Sequence, residues 1–222
     1  MPVAGAAMAE FVAMKPSQPI RVYRHPISGH CHRVELYLTL LDLPFERIHV
    51  DLLARAQKQP GFLQKNAFGQ VPVIEDGDVT LADSTAILVY LGEKYDEHGR
   101  FWPRTPAGKA AVQRWLSVAS GPLAFGPAAA RRARAFGAKL DYEGAVATAA
   151  QLLATLESEL TSRTHLVGST PTVADLAMYA YVARAPEGDI SLEPYPAIRA
   201  WLARIESLPG FVPMPSVTPK PA

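Results

Sequence analysis

The sequence contains a single cysteine among its 222 residues, so no disulfide can form within the chain. One cysteine fits a protein of a reducing compartment, and we expect a cytoplasmic location. Neither sign of charge is in excess, because 22 lysine and arginine residues stand against 21 aspartate and glutamate residues. A basic surface for nucleic acid or for an anionic membrane is therefore not expected.

Long apolar runs are missing as well. Residues 1–17 hold a short, broken apolar stretch without a basic region before it, and this stretch is too short to span a bilayer. We expect a disordered leader there, with Met14 nearer the natural start; a weak export signal is the alternative. Apolar residues still make up 49% of the chain, enough for one large domain or two small ones.

The first half of the chain has the element order of an α/β layer structure. Strands are predicted at residues 20–24 and 45–50, on either side of a helix over residues 32–41. A hairpin around Asp76-Gly77 and a helix over residues 84–95 follow. This order implies one parallel strand pair and one antiparallel hairpin.

After a linker rich in glycine, proline and charge, every predicted element of the second half is a helix. Apolar spacing predicts these helices over residues 109–118, 128–135, 144–163, 173–185 and 195–208. Thr172 and Asp175 have the spacing of a capping box at the start of the fourth. We therefore divide the chain into an α/β domain over residues 18–96 and an all-helical domain over residues 107–212.

The hairpin segments, residues 69–74 and 79–84, suggest a ligand site. Pro72 has no N–H group, so it fits only the first residue, an edge or a bulge of a strand. A cis Val71–Pro72 bond would turn the Val71 N–H and C=O outward, free to pair with an extended ligand. Ser84 is the predicted N-cap of the next helix, whose free N–H groups favour an anion. An ordinary hairpin followed by a serine cap is the alternative.

A second candidate site follows the first strand, where Ser28-Gly29-His30-Cys31 leads into a helix. Ligands of α/β units bind at the carboxyl ends of strands. The Ser28 hydroxyl could donate to a thiolate and lower its pKa with the help of the helix N-terminus, or it could only cap the helix. Cys31 lies one turn into the helix, where burial as a small apolar side chain is favoured over catalysis.

Three other chemistries have little support in the sequence. His25, His30 and His32 lie close together, but no matching acid or cysteine set has ligand spacing, so no metal is expected. A serine hydrolase is not indicated, because no Gly-x-Ser-x-Gly elbow occurs. The basic run over residues 131–134 is typical of a solvated helix face, although it could attract acidic substrates if it faced the first domain.

Three segments together resemble the cytosolic glutathione transferase family, in its bacterial, theta/zeta-like, serine-type form. They are Ser28-Gly29-His30-Cys31-His32-Arg33-Val34, Asn66-Ala67-Phe68-Gly69-Gln70-Val71-Pro72 and Asp83-Ser84-Thr85-Ala86-Ile87-Leu88. The resemblance covers residues 20–208. It implies a thioredoxin-like α/β amino-terminal domain, an all-α carboxy-terminal domain and a homodimer.

The resemblance also implies which residues hold glutathione. Val71, before a cis Pro72, would pair through its backbone with the cysteinyl part. Asp83 suits the γ-glutamyl ammonium, and Ser84 with the helix start suits the carboxylate. Lys58 would bind the glycyl carboxylate. Gln57 and Gln70 would assist in binding glutathione.

Ser28 matches the catalytic hydroxyl of serine-type classes. His30 stands where many relatives have asparagine, and it could polarise the sulfur or replace Ser28 in that role. Asp83 stands where many relatives have glutamate; aspartate is the shorter of the two side chains but is still ionic.

The leading hypothesis is a detoxifying transferase that uses glutathione as co-substrate and stabilises its thiolate through Ser28. The second substrate would be a small electrophile in a cleft between the domains, near Trp115, Phe125 and Arg131. A glutathione-dependent isomerase or thiol–disulfide reductase is one alternative, and a non-catalytic binding or interaction module is the other.

Overall fold

The computed structural model describes residues 15–217, so the predicted leader lies almost entirely outside the described residues, as does Met14. The strands in this part of the chain are β1 (Ile20–Arg24), β2 (Phe45–His49), β3 (Val73–Asp76) and β4 (Val79–Ala82). They form one sheet in the order β2-β1-β3-β4. β1 runs parallel to β2 and antiparallel to β3, and β3 and β4 form the hairpin.

The helices of the first half are α1 (Gly29–Leu40), α2 (Pro60–Leu63) and α3 (Ser84–Tyr95). A turn of 3₁₀ helix, Ala56–Lys58, precedes α2. α1 begins earlier than the predicted residue 32, because Ser28 caps it and Gly29 is already helical. Apolar side chains of α1 and α3 cover the sheet, and Val22, Leu36 and Leu88 are fully buried between them.

The second half is helical, as predicted. Its helices are α4 (Pro106–Ser120), α5 (Pro122–Phe125), α6 (Pro127–Phe136), α7 (Tyr142–Thr161), α8 (Val173–Ala183) and α9 (Pro196–Glu206). The short helix α5 lies between the predicted helices over residues 109–118 and 128–135, where the sequence analysis predicts no element. Proline opens α4, α5, α6 and α9, because the first helical residue needs no N–H partner.

α8 is the central helix of the second half, buried along nearly its whole length. The predicted capping box is present, with the Thr172 N–H donating to Asp175 Oδ2 over 2.7 Å. α8 also packs on α1 of the first domain. The contact is close: a Cβ atom on Gly29 would lie 2.8 Å from Cζ of Tyr181, so only glycine fits at that position. The start of α1 is therefore fixed from both domains.

None of the helices between residues 15 and 217 combines the length and apolar character that crossing a bilayer requires.

Candidate functional site

Strand pairing brings the predicted site segments to one edge of the sheet. Val73, at the start of β3, pairs with Tyr23 near the end of β1 and with Ala82 at the end of β4. The residues that precede β3 and those that follow β1 and β4 therefore lie side by side. These are the Val71–Pro72 peptide, the loop that ends at Ser28, and Asp83-Ser84.

The Val71–Pro72 peptide bond is cis. Within residues 15–217 no backbone hydrogen bond involves Val71, which leaves its N–H and C=O groups open to an extended ligand. The loop before it is held by Asn66, whose Nδ2 donates to the Gln70 carbonyl over 2.9 Å. Gly69 has a φ of 57°, a conformation that favours glycine.

Ser28 is the N-cap of α1, and its hydroxyl oxygen accepts the Cys31 N–H over 3.3 Å. A serine oxygen can accept a hydrogen bond while its own O–H donates another. The cap uses the oxygen only, so the hydroxyl proton stays available. The sequence analysis treats helix capping and donation to a thiolate as alternative roles of the Ser28 hydroxyl. In the structure one hydroxyl can fill both roles.

Cys31 is fully buried, as the sequence predicts. Burial raises the pKa of its thiol to about 11, although a hydrogen bond involving Ser28 acts in the opposite direction. The side chain is therefore a thiol at neutral pH and takes the role of a small apolar residue.

The N-cap of α3 is Asp83, which corrects the prediction of Ser84. Oδ1 of Asp83 accepts the N–H groups of Thr85 over 2.8 Å and of Ala86 over 3.0 Å. A carboxylate caps a helix as well as a hydroxyl does, and the positive φ of Asp83, 71°, places it outside the helix. Ser84 is consequently the first helical residue and is buried.

The capping bonds of Asp83 use Oδ1, which leaves Oδ2 for a cationic group. Desolvation raises the pKa of the Asp83 carboxyl, but hydrogen bonds from Thr85 and Ala86 outweigh it and keep the pKa below its ordinary value. Asp83 is an exposed anion at neutral pH, which suits the predicted contact with an ammonium group.

Ser84 contacts two side chains of α1. Its hydroxyl lies 3.3 Å from Nδ1 of His30 and accepts from Nη1 of Arg33 over 3.4 Å. Burial lowers the pKa of His30 to about 3, with a further decrease from the Arg33 charge, so the imidazole is neutral. A neutral ring bonded to Ser84 is placed to orient that hydroxyl.

Arg33 is a part of the site that the sequence did not indicate. Its side chain is fully buried, and its Nε and Nη2 atoms have no hydrogen-bond partner between residues 15 and 217. Burial lowers its pKa to about 10, which leaves a cation at neutral pH. Arginine is rarely buried unless it is paired, so no sequence pattern would have predicted this position.

The remaining predicted binding residues lie in or beside the loop before Val71. Lys58 Nζ donates to the Phe68 carbonyl over 2.8 Å, and its other N–H groups are available for a carboxylate. Gln70 is exposed. Gln57 has a buried Oε1 atom without a partner in the described part of the chain.

Comparison with known proteins identifies the family. Residues 22–99 match the family model of the glutathione S-transferase N-terminal domain, and residues 122–209 match that of the C-terminal domain. The chain belongs to the glutathione S-transferase family. Glutathione S-transferase 3 of Zea mays is 32% identical over 216 residues, which cover 91% of this chain and 96% of the maize protein.

Solved transferase structures share the whole two-domain fold. A possible glutathione S-transferase from Rhodopseudomonas palustris is 30% identical with a TM-score of 0.82, covering 89% of this chain and 98% of the other. A glutathione transferase homolog from Drosophila mojavensis, solved with bound glutathione, is 27% identical with a TM-score of 0.77, covering 86% and 89%. The predicted family, fold class, enzyme class and glutathione co-substrate are confirmed.

The three residues expected near the electrophile of this transferase do not all reach a surface. Trp115 and Arg131 are buried, whereas Phe125 is 71% exposed. Arg131 does face the first domain, because its Nη1 donates to the Ile27 carbonyl over 2.9 Å. Its charge is already paired with Glu187, so the expected attraction of acidic substrates has no basis in Arg131.

The clustered histidines of the transferase form no metal site in the structure. His25 packs on His49, and His32 contacts the Val212 carbonyl. Within residues 15–217 no group of three or more histidine, cysteine, aspartate or glutamate side chains could hold a metal ion.

Proposed function

We propose that this transferase binds glutathione at the edge of its sheet, stabilises the thiolate through Ser28, and conjugates the sulfur to a small electrophile. The observation that supports it most is the convergence of three groups at one edge. The Ser28 hydroxyl, the unpaired backbone of Val71 and the start of α3 all lie there. This arrangement matches a thiol-bearing peptide that carries a free ammonium group and a free carboxylate together at one end.

The proposed binding mode follows the residues along the ligand. The Val71 N–H and C=O pair with the cysteinyl unit, as another strand would. Asp83 Oδ2 takes the γ-glutamyl ammonium, and the Ser84 hydroxyl with the helix N-terminus takes its carboxylate. Lys58 binds the glycyl carboxylate, with Gln70 beside it.

Ser28 contributes by lowering the pKa of the bound thiol. Its O–H donates more strongly to an ionised sulfur than to a neutral thiol, and the N-terminal end of α1 favours the same negative charge. Each pKa unit removed corresponds to about 1.4 kcal/mol of preference for the thiolate. The electrophile then receives the sulfur electron pair, and a leaving group or a carbanion carries the charge away.

We further infer a serine-type, theta/zeta-like enzyme that acts in the cytoplasm as a homodimer. A free, buried cysteine supports a reducing compartment. Phe68 is 80% exposed on the loop before Val71, and an apolar side chain left in solvent at such a place supports contact with a second copy of the chain.

The decisive experiment is titration of the bound thiol by ultraviolet absorbance. We expect Ser28→Ala to raise the thiol pKa towards that of free glutathione, and Ser28→Thr to retain most of the decrease. Thr105→Ala is the matched control, because Thr105 caps α4 far along the chain by accepting the Gly108 N–H over 3.1 Å. An unchanged pKa in Ser28→Ala would remove Ser28 from the mechanism.

Two simpler assays separate the alternatives. Failure to bind immobilised glutathione would contradict the proposed binding site. Binding without turnover of a panel of aryl halides, alkyl halides, epoxides and unsaturated carbonyl compounds would favour a non-catalytic module. A reductase using a protein sulfur has little support, since Cys31 is buried with a raised pKa.

A further inference from the structure

A buried ion pair lies outside the groups proposed to touch glutathione. Arg131 of α6 donates from Nε to Glu187 Oε2 over 2.6 Å, and both side chains are almost completely buried. Glu187 belongs to the 3₁₀ turn Ala185–Gly188 after α8. Removing two charges from water is costly, so such a pair is weak support for a purely stabilising role. The other contacts of the two residues are therefore informative.

Arg131 reaches from the helical domain to the catalytic loop. Its Nη1 donates to the carbonyl of Ile27 over 2.9 Å, and this carbonyl belongs to the peptide that joins Ile27 to Ser28. The loop has one internal backbone bond, from the Ser28 N–H to the His25 carbonyl over 3.1 Å. Because a peptide unit is planar, holding its carbonyl fixes the direction in which Ser28 leaves it.

Arg131 is itself held in place. A Cβ atom on Gly188 would lie 2.6 Å from the Arg131 backbone nitrogen, so a glycine at this position is what lets the turn with Glu187 approach α6. Within residues 15–217 Nη2 of Arg131 has no partner. The guanidinium is thus oriented by its hydrogen bonds to Glu187 and to the Ile27 carbonyl, and it also lies over the Phe136 ring, 5.1 Å from the ring centroid.

Glu187 also contacts the last residues that the structure describes. We call residues 211–217 the strap. The strap crosses back to α1, where the Val212 carbonyl lies 2.7 Å from Nε2 of His32, and its Met214 carbonyl accepts from Arg184. The Val217 N–H then donates to Glu187 Oε1 over 3.1 Å. One carboxylate therefore joins the strap to Arg131.

We propose that Arg131 is a positioning residue for Ser28, oriented by Glu187, and that the strap supports this arrangement through Val217. The inference rests on the proposed function, because it matters only if Ser28 stabilises the glutathione thiolate. Arg131 touches no reacting atom. It sets the direction of the Ser28 hydroxyl from a distant helix and couples that direction to the carboxy-terminal segment.

The test uses the full chain and the thiol titration described above. Arg131→Lys keeps the positive charge but cannot bridge Glu187 and Ile27 in the same way. We expect the bound thiol pKa to rise by about half a unit, which is a roughly threefold smaller thiolate fraction below the pKa. The KM for glutathione should change less than kcat, since the proposed peptide contacts remain.

Two more variants make the test specific. Val217→Pro removes the N–H that donates to Glu187, and it also restricts the backbone of residues 216 and 217; we expect a smaller shift in the same direction. Arg134→Lys is the matched control on α6: its partner is Asp189 over 2.8 Å in an exposed pair, and it should leave the titration unchanged. If Arg131→Lys does not fold, the titration uses the double variant Arg131→Met with Glu187→Leu instead, in which apolar side chains replace the buried ion pair.

The outcomes separate the two proposals. An unchanged pKa in Ser28→Ala would overturn the proposed function and this inference with it. A raised pKa in Ser28→Ala together with an unchanged pKa in Arg131→Lys, or in the folded double variant, would overturn this inference alone. An equal rise in Arg134→Lys would also overturn it, because the effect would then be a general response of α6.

Discussion

The Ser84 hydroxyl lies 3.3 Å from Nδ1 of His30, and the fully buried Arg33 donates to the same oxygen. The sequence leaves two roles for His30 open: to help polarise the sulfur, or to replace Ser28 in that role. The geometry gives it a contact with the residue proposed to bind the γ-glutamyl carboxylate. A ring with a pKa of about 3 is also a weak base for a thiol.

This contact predicts that His30 affects binding more than turnover. Replacing His30 with leucine removes a hydrogen-bond partner of Ser84, a loss of about 1 kcal/mol, and should raise the KM for glutathione roughly fivefold with little change in kcat. His30→Asn keeps a polar group and should lie nearer the wild type. A large fall in kcat at unchanged KM would instead assign His30 to catalysis. Steady-state kinetics at varied glutathione provide the measurement.

Asp83 combines a helix cap with a proposed ligand contact, and substitution can separate them. Asp83→Asn keeps a capping oxygen but loses the charge, so stability should hold while the KM for glutathione rises. Asp83→Ala loses both, with about 1 kcal/mol of stability lost in urea unfolding. Equal stabilities of the two variants would contradict the capping role.

The same carboxylate predicts a pH dependence. The folded-state pKa of Asp83 lies below its ordinary value, so the stability it adds is complete above the ordinary pKa and is lost as pH falls through the folded value. Unfolding midpoints measured from neutral pH into this acid range should fall less steeply in Asp83→Asn than in the wild type. Parallel curves would count against the contribution of this group.

Among these variants, we expect substitution of Asp175 to cause the largest loss of stability. It is fully buried and accepts from the N–H groups of Thr172 and Leu166 and from Nε1 of Trp201. Asp175→Ala leaves these buried donors without a partner and should destabilise the chain by about 3 kcal/mol or more. Asp175→Asn, which keeps an acceptor, should cost less. Urea unfolding followed by tryptophan fluorescence measures both.

Phe68 tests the proposed homodimer. Replacing this exposed side chain with serine should shift the sedimentation of the protein towards that of the monomer, because apolar area would be lost from the contact between copies. Val79→Ser, a change at a partly exposed apolar residue on the hairpin, serves as comparison. A wild-type monomer at all concentrations would contradict the homodimer, and an unaffected dimer in the Phe68 variant would contradict this surface.

Local signals in the sequence accounted for most of the fold. Asp76-Gly77 indicated the hairpin, Pro72 indicated the start of a strand, and the Thr172 and Asp175 spacing indicated the capping box. Each signal depends on residues that are close together in the chain, so each can be recognised from the sequence alone. The N-cap of α3 was predicted wrongly: the sequence favours Ser84, whereas the structure has Asp83 as the cap and Ser84 as the first helical residue.

The family, the order of the two domains and the segments that meet at the site could all be predicted from the amino-acid sequence. The packing of the helices was needed to see that Arg33 is buried and donates to Ser84, and that Arg131 reaches Ile27, 104 residues away in the chain. The difference is one of range along the chain. Turn and cap preferences depend on neighbouring residues, whereas burial of a charge and bonds between domains depend on how complete helices pack together.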